Sequence, residues 1–413
     1  MKKSTFLKSS SVNIVLKFAA VGIIFLFQSL LSKIISVEDY SMYAKFTTYS
    51  GYMALVLSFG MTASLLYFSE NEKDFKSNYF GAFIFYIFIS VPVIVISTFF
   101  SINNHFFTLV VIFSLLLNLI GISLSFYQFK NNFIKYAIFG FLQSLAVISV
   151  LIIIKIFNLV HMHDIFKVYI GTHFIFLCIL LYSIYAESIK DHIYKITFKL
   201  QNILYGTKTI GLLILAQFIY IADFILVDFY LEDKYVAYYF VALVFSKIVF
   251  IMADTVGNII FTLYAQSRNQ DKKHIDENVY MISSFLFGIS IIFLISFIFL
   301  GKTLLVLVYE LSYLEAYEST VILIAGTQGM IIYKFLSRKL IAENSWKVLY
   351  ITVITAASIN IVLNLILIPI YGITGAAVSS MIAYWVCGIL LVFLHKERLV
   401  NYLFRFDLLV TKV

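Results

Sequence analysis

The fold class predicted for this 413-residue chain is an all-α polytopic membrane protein, with twelve transmembrane helices in two parallel six-helix lobes. Three observations predict it. The chain is 62% hydrophobic and only 13% charged, about half the charged share of an ordinary soluble domain. Too little polar surface is left to cover a soluble core of this size. The charges gather into short patches between apolar runs of twenty or more residues, the length that crosses a bilayer. Finally, a segment near the start recurs at an offset that halves the chain.

Taken in order, the basic start (Lys2, Lys3, Lys8) leads into an apolar run with no small-residue cleavage site. Span 1 (11–34) is therefore expected to be retained as a signal anchor. Span 2 (41–69) is long enough to tilt or to run past the interface. Spans 3 to 6, at 77–100, 105–127, 132–157 and 164–187, complete an N-terminal lobe over 1–198. Spans 7 to 10, at 203–229, 235–263, 277–300 and 317–338, open a C-terminal lobe over 199–413. The last two spans, 346–370 and 373–395, flank the stretch LNLILIPIYGITGAAVSS. There Pro369 ends one helix, Gly372 permits a tight turn, and Gly375, Ala376 and Ala377 let the final helix pack closely. No connection exceeds about twenty residues, so none forms a separate soluble domain. Cys178 and Cys387 lie in apolar segments and are expected as small buried hydrophobes.

Lys and Arg orient the chain. Segments on the N-terminal side hold 21 of them and the opposite side 6; Lys17, Lys208 and Lys247 fall inside helices. Both termini are expected in the cytoplasm. The same asymmetry accounts for the formal charge of +8, so no nucleic-acid partner is expected.

The recurring segment is VEDYSMYAKF after span 1 and LEDKYVAYYF after span 7. Glu38–Asp39 align with Glu232–Asp233, and Phe46 with Phe240, at an offset of 194 residues. Six helices per half is an even number, so both halves enter the membrane from the same side. That arrangement is a parallel repeat, and in such proteins the substrate path lies between lobes that rock against one another.

The stretch INIVLNLILIPIYGITGAAVSSMIAY (359–384) resembles the last hairpin of bacterial polysaccharide exporters. These are the O-antigen, or Wzx-type, flippases of the multidrug/oligosaccharidyl-lipid/polysaccharide (MOP) superfamily, whose fold is MATE-like. SKIISVEDYSMYAKFTT resembles that family's first hairpin, YIADFILVDFYLEDKYVAYY its seventh helix and turn, and LVYELSYLEAYESTVILIAG its approach to helix 10. At Asp223 the family often has Asp-Arg, whereas Phe224 follows here. The resemblance implies a multi-pass protein of the bacterial cytoplasmic (inner) membrane. Its cargo would be an undecaprenyl-diphosphate-linked oligosaccharide passed from the inner to the outer leaflet. It implies membrane lipids, H+ or Na+, and a polysaccharide polymerase and chain-length regulator as partners, and no cofactor. A MATE-type cation-coupled drug exporter, with the same number of helices, is the alternative.

Ionisable groups at bilayer depth cost roughly 2.5 kcal/mol or more and face a cavity or a partner. Lys247, Lys17 and, nearer a helix end, Lys208 are the candidate cations for a lipid diphosphate. Asp223 and Asp254, with Lys45, are candidates for ion coupling or gating, Asp254 matching Lys17 in depth and Asp223 matching Lys45. Asn258, Gln217, Gln28, Asn360 and Asn364 are polar groups able to meet sugar hydroxyls. Two further patterns carry little. His161, His163 and Asp164 lack the ligands of a metal site, and Gly372-x-x-Gly375 lacks the lysine and strand of a phosphate loop. A lipid-linked-sugar polymerase or glycosyltransferase needs a large extracytoplasmic loop. The longest such segment here is about 17 residues, 301–317, so the chain is read as a transporter rather than an enzyme.

Overall fold

A computed structural model of the chain describes residues 3–68, 72–100, 105–130, 132–188, 200–266, 272–343, 345–396 and 403. Every regular element among them is helical: α1 (Lys3–Ser32), α2 (Val37–Leu57), α3 (Met61–Phe68), α4 (Glu72–Phe100), α5 (Phe106–Phe129), α6 (Phe133–Phe157) and α7 (Met162–Ser188). Then follow α8 (Leu200–Tyr230), α9 (Asp233–Gln266), α10 (Lys272–Tyr309), a 3-10 turn (Leu311–Ala316), α11 (Tyr317–Ala342) and α12 (Trp346–Leu394). Ten of these helices are long and apolar enough to cross a membrane. The chain forms two compact units, Met1–Ile214 and Leu215–Val413.

In the first unit α5 packs against α2, α3, α4, α6 and α7. Its sequence explains that position: FFTLVVIFSLLLNLIGISLSFYQF has no charged residue and places small Ser side chains where helices meet. The Ser114 hydroxyl donates to Ser50 O at 3.0 Å, and the Asn118 amide donates to Ala54 O at 2.8 Å and to the Tyr86 hydroxyl at 2.6 Å. In the absence of water such bonds join helices. Phe46 of the recurring segment stacks on Phe113 at 5.2 Å and on Phe166 at 4.4 Å, tying α2 to α5 and α7. The same segment starts α2. The Ser36 side chain accepts from the Asp39 N–H, and Glu38 and Asp39 complement the helix dipole.

The second span, expected as one helix, is interrupted. Phe59 and Gly60 adopt positive φ (48° and 65°), and the Ser58 hydroxyl donates to Leu55 O at 2.8 Å, so α2 closes and α3 restarts at a new angle.

In the second unit α11 packs against α9, α10 and α12. The 49 residues of α12 are not one rod. Gly372 sits at φ 59°, ψ −138°, and a Cβ on Gly375 would lie 2.2 Å from Leu367 O. Asn360 reaches Ser380, twenty residues on, at 3.2 Å, whereas a straight helix would hold them about 30 Å apart. The arms 346–371 and 373–394 therefore form the expected hairpin. Counted with α12 as two arms, the ten long apolar helices match eleven of the twelve expected spans, and α2 and α3 occupy the place of the second.

Two further details differ from expectation. Segment 301–317 is not a loop, because α10 continues to Tyr309 and a 3-10 turn joins it directly to α11. Cys387 is buried, but Cys178 is exposed on α7. A small apolar side chain is as much at home on a lipid-facing surface as in a core, so the sequence did not distinguish the two.

Candidate functional site

Asp223 lies seven residues before the end of α8 and Tyr239 six residues after the start of α9. The two-residue connection between these helices turns the chain back on itself, so both side chains sit about 10 Å below the turn. On α12, Ser380 lies eight residues past Gly372, and Asn364 and Asn360 lie eight and twelve before it. Two hairpins thus bring five polar side chains to similar depth in one unit.

They form a connected network. Asp223 is fully buried. Its carboxylate accepts from the Tyr239 hydroxyl, from the Ser380 hydroxyl at 2.7 Å and from the Phe224 N–H at 2.8 Å. Asn360 donates to Ser380, and Asn364 donates to Asn360 Oδ1 at 3.0 Å. The buried Asn364 Oδ1 accepts no hydrogen bond among the described residues. Tyr384 and Tyr220, with ring centroids 5.4 Å apart, pack between α8 and α12. The oxygens of one carboxylate, two amides and two hydroxyls are a hard donor set, suited to a proton or a small hard cation. Among the described residues no group of three or more His, Cys, Asp or Glu side chains is placed to hold a metal ion.

Lys247 lies two turns further along α9 than Tyr239. Its ammonium lies 5.9 Å from the Phe240 ring centroid. It makes no ion pair among the described residues. Asp254, two more turns along, pairs with Lys334 at 2.5 Å and Arg338 at 3.8 Å, both from α11. The Lys334 ammonium also lies 5.1 Å from the Phe250 ring centroid. Lys339, next on α11, pairs with Asp276 of α10 at 3.0 Å.

The expected site residues are therefore sorted by the fold. Asp223, Asn360 and Asn364 come together. Asp254 finds its partners on α11 of its own unit, and Asp223 finds hydroxyls and a backbone N–H. Lys17 is exposed on α1, Lys45 is half-buried on α2, and Gln28 hydrogen-bonds the Tyr43 hydroxyl. Gln217 is exposed on α8. The side chains of Lys208 and Asn258 lie outside the described residues. Sequence reasoning missed Tyr239, Ser380, Lys334 and Arg338. A signal existed for the last two: they stand four apart on one helical face, but as the close of a span they read as loop charges.

A buried polar network inside a bundle of apolar helices defines a multi-pass membrane protein with a built polar centre. No protein-family profile matches this sequence, and no curated protein is similar to it. Solved structures match over nearly its whole length. The lipid II flippase MurJ in an inward closed conformation is 18% identical with a TM-score of 0.72, over 96% of this chain and 89% of that one. An inward-facing multidrug resistance MATE family transporter of the MOP superfamily is 12% identical with a TM-score of 0.68, over 98% and 100%. The Vibrio cholerae MATE transporter VcmN is 11% identical with a TM-score of 0.62, over 97% and 100%. The chain thus has the MATE- and MurJ-like fold.

Proposed function

We propose that this chain is a flippase for an undecaprenyl-diphosphate-linked oligosaccharide, an O-antigen or capsule repeat unit. It would carry the lipid from the cytoplasmic to the periplasmic leaflet of the inner membrane by alternating access, with both termini cytoplasmic. The observation that carries the reading is Lys247, with Lys17 beside it in kind. Each is a lysine on a membrane-spanning helix with no ion pair among the described residues. A cation retained at that depth is offset by something, and a lipid diphosphate supplies two or more negative charges. The same ammonium groups would repel a cationic drug, which is why the exporter reading ranks second despite the MATE-like fold. The oxygen-rich centre around Asp223 supports coupling to H+ or Na+. Both units having their own core supports a mechanism in which each moves as a body, and a polymerase and chain-length regulator would take the product.

The test is deletion followed by chemical analysis of surface polysaccharide and of lipid-linked repeat units. Loss of the polymer with build-up of protected intermediates on the cytoplasmic face is expected. Lys247→Ala with Lys17→Ala should cut export by at least about tenfold, the effect of losing roughly 1.4 kcal/mol of charge compensation, at unchanged membrane abundance. Intact surface polysaccharide on deletion, with a gain in drug sensitivity, would establish the exporter instead.

A further inference from the structure

The Pro-Ile-Tyr-Gly hairpin, assigned above to structure alone, also forms one wall of a cavity of about 680 Å³. The other walls are the α8–α9 connection, the end of α10, the 3-10 turn and the start of α11, so the cavity opens at one end of the second unit. Its lining combines Tyr235, Tyr317 and Tyr371 with Glu315, Glu318 and Lys302. We propose that it is an oligosaccharide-binding pocket, with the tyrosines as platforms for sugar rings and the charged groups as partners for their hydroxyls. This inference takes only its ligand class from the flippase reading.

The platforms are braced before any ligand arrives. Tyr317 donates its hydroxyl to Ile298 O at 2.7 Å, its ring lies parallel to Phe297 at 6.3 Å, and the Lys302 ammonium is 5.2 Å from its centroid. Gly301 makes that approach fit, because a Cβ there would meet Phe297 at 2.6 Å and Tyr317 at 3.0 Å. Tyr235 is flanked by Tyr238 at 6.0 Å and by the Lys234 ammonium at 5.0 Å. Tyr371 is 61% exposed and set by the neighbouring Gly372, whose positive φ fixes the turn. Pre-placed aromatics lower the ordering cost of binding.

The chemistry fits a saccharide. A pyranose offers a C–H face that packs on an aromatic ring and a rim of hydroxyls that need both acceptors and donors. Glu315 and Glu318 supply carboxylate acceptors, Lys302 a donor, and Thr374 and the tyrosines both. The volume is that of an ordinary small-molecule site, enough for roughly two or three sugar rings. Three tyrosines, from three elements, converge with two carboxylates on one concavity. By the charge asymmetry the pocket opens to the periplasm, where the cargo's sugars arrive.

The test uses the full-length protein in lipid nanodiscs and equilibrium binding of maltotriose, chitotriose and lipid-free oligosaccharides released from the cell's own surface polysaccharide. Saturable millimolar binding of at least one is expected. Tyr371→Ala should weaken it about tenfold and Tyr371→Phe should keep it, since the ring face and not the hydroxyl is the platform. Glu315→Gln should weaken it about threefold. Undecaprenyl phosphate, which has the lipid and no sugar, should not compete. Absence of saturable binding by every oligosaccharide, indifference to Tyr371→Ala, or competition by undecaprenyl phosphate would each overturn the pocket. Intact polysaccharide on deletion would remove the flippase reading and leave the binding result as it stands.

Discussion

A carboxylate taken wholly out of water costs several kcal/mol unless its oxygens are paired. Asp223 offsets that cost with three donors, two of them hydroxyls that can turn to accept. Asp223→Asn keeps the shape and removes the charge; the new amide can donate where it formerly accepted, provided Tyr239 and Ser380 reorient. The variant should reach the membrane with a stability loss of about 1–3 kcal/mol and lose the dependence of reconstituted transport on an imposed H+ or Na+ gradient. Gradient dependence at the wild-type level in this variant would remove Asp223 from coupling. The aspartate itself was legible, as a charge in an apolar run. Its partners were not, because a Tyr and a Ser in membrane helices are ordinary, and only the depth match of two hairpins brings them to it. Lys334 and Arg338 were hidden differently. Where a span ends decides whether a cation is inside it, and that boundary is the least readable feature of a sequence.

Helix packing in the second unit rests on missing side chains. A Cβ on Gly388 would lie 2.3 Å from Gly329 O, and one on Gly329 would lie 2.7 Å from the Trp385 Cα. The arm 373–394 and α11 therefore touch backbone to backbone, and the Trp385 indole donates to Ala325 O at 3.1 Å across the seam. Small residues permit this close van der Waals approach where no hydrophobic force drives helices together. Gly388→Ala should force the helices apart and cost about 1–3 kcal/mol, read as a lowered midpoint in thermal unfolding of the detergent-purified protein. Gly22→Ala on α1 is the matched control, since its Cβ would meet nothing within 4 Å. A gain of up to about 1 kcal/mol in helix propensity is expected there. Equal effects of the two changes would mean that the seam carries no packing energy. The hairpin's small residues were read from the sequence as a packing surface, whereas the glycines of α11 passed unnoticed, because their partner is set by tertiary structure. The break between α2 and α3 was equally silent, since Ser-Phe-Gly within an apolar run does not itself demand left-handed backbone.

Orientation joins the charge pattern to the proposed roles. The 3-10 turn carrying Glu315 and the start of α12 carrying Lys347 are separated by α11, 26 residues long. That is about 39 Å of helix, more than the hydrocarbon thickness of roughly 30 Å, so Glu315 and Lys347 belong to opposite faces of the membrane. On the proposed orientation, which rests on the excess of 21 cations over 6, Lys347 would face the cytoplasm and Glu315 the periplasm. Lys334, Arg338 and Lys339, which are among those 21, lie at the Lys347 end of α11, with Asp254 and Asp276 as local counter-ions. Glu315→Cys and Lys347→Cys, each introduced alone beside the native Cys178 and Cys387, test it with a membrane-impermeant maleimide; both positions are exposed. Label should enter Glu315→Cys in intact cells and Lys347→Cys only after permeabilisation. The native Cys178, exposed on an apolar face of α7, should stay unlabelled, because a charged reagent does not reach thiols in lipid. The reverse pattern would invert every directional statement about this chain. The saccharide pocket would then open where the cargo is loaded, and the cations of α11 would face the side on which it is released.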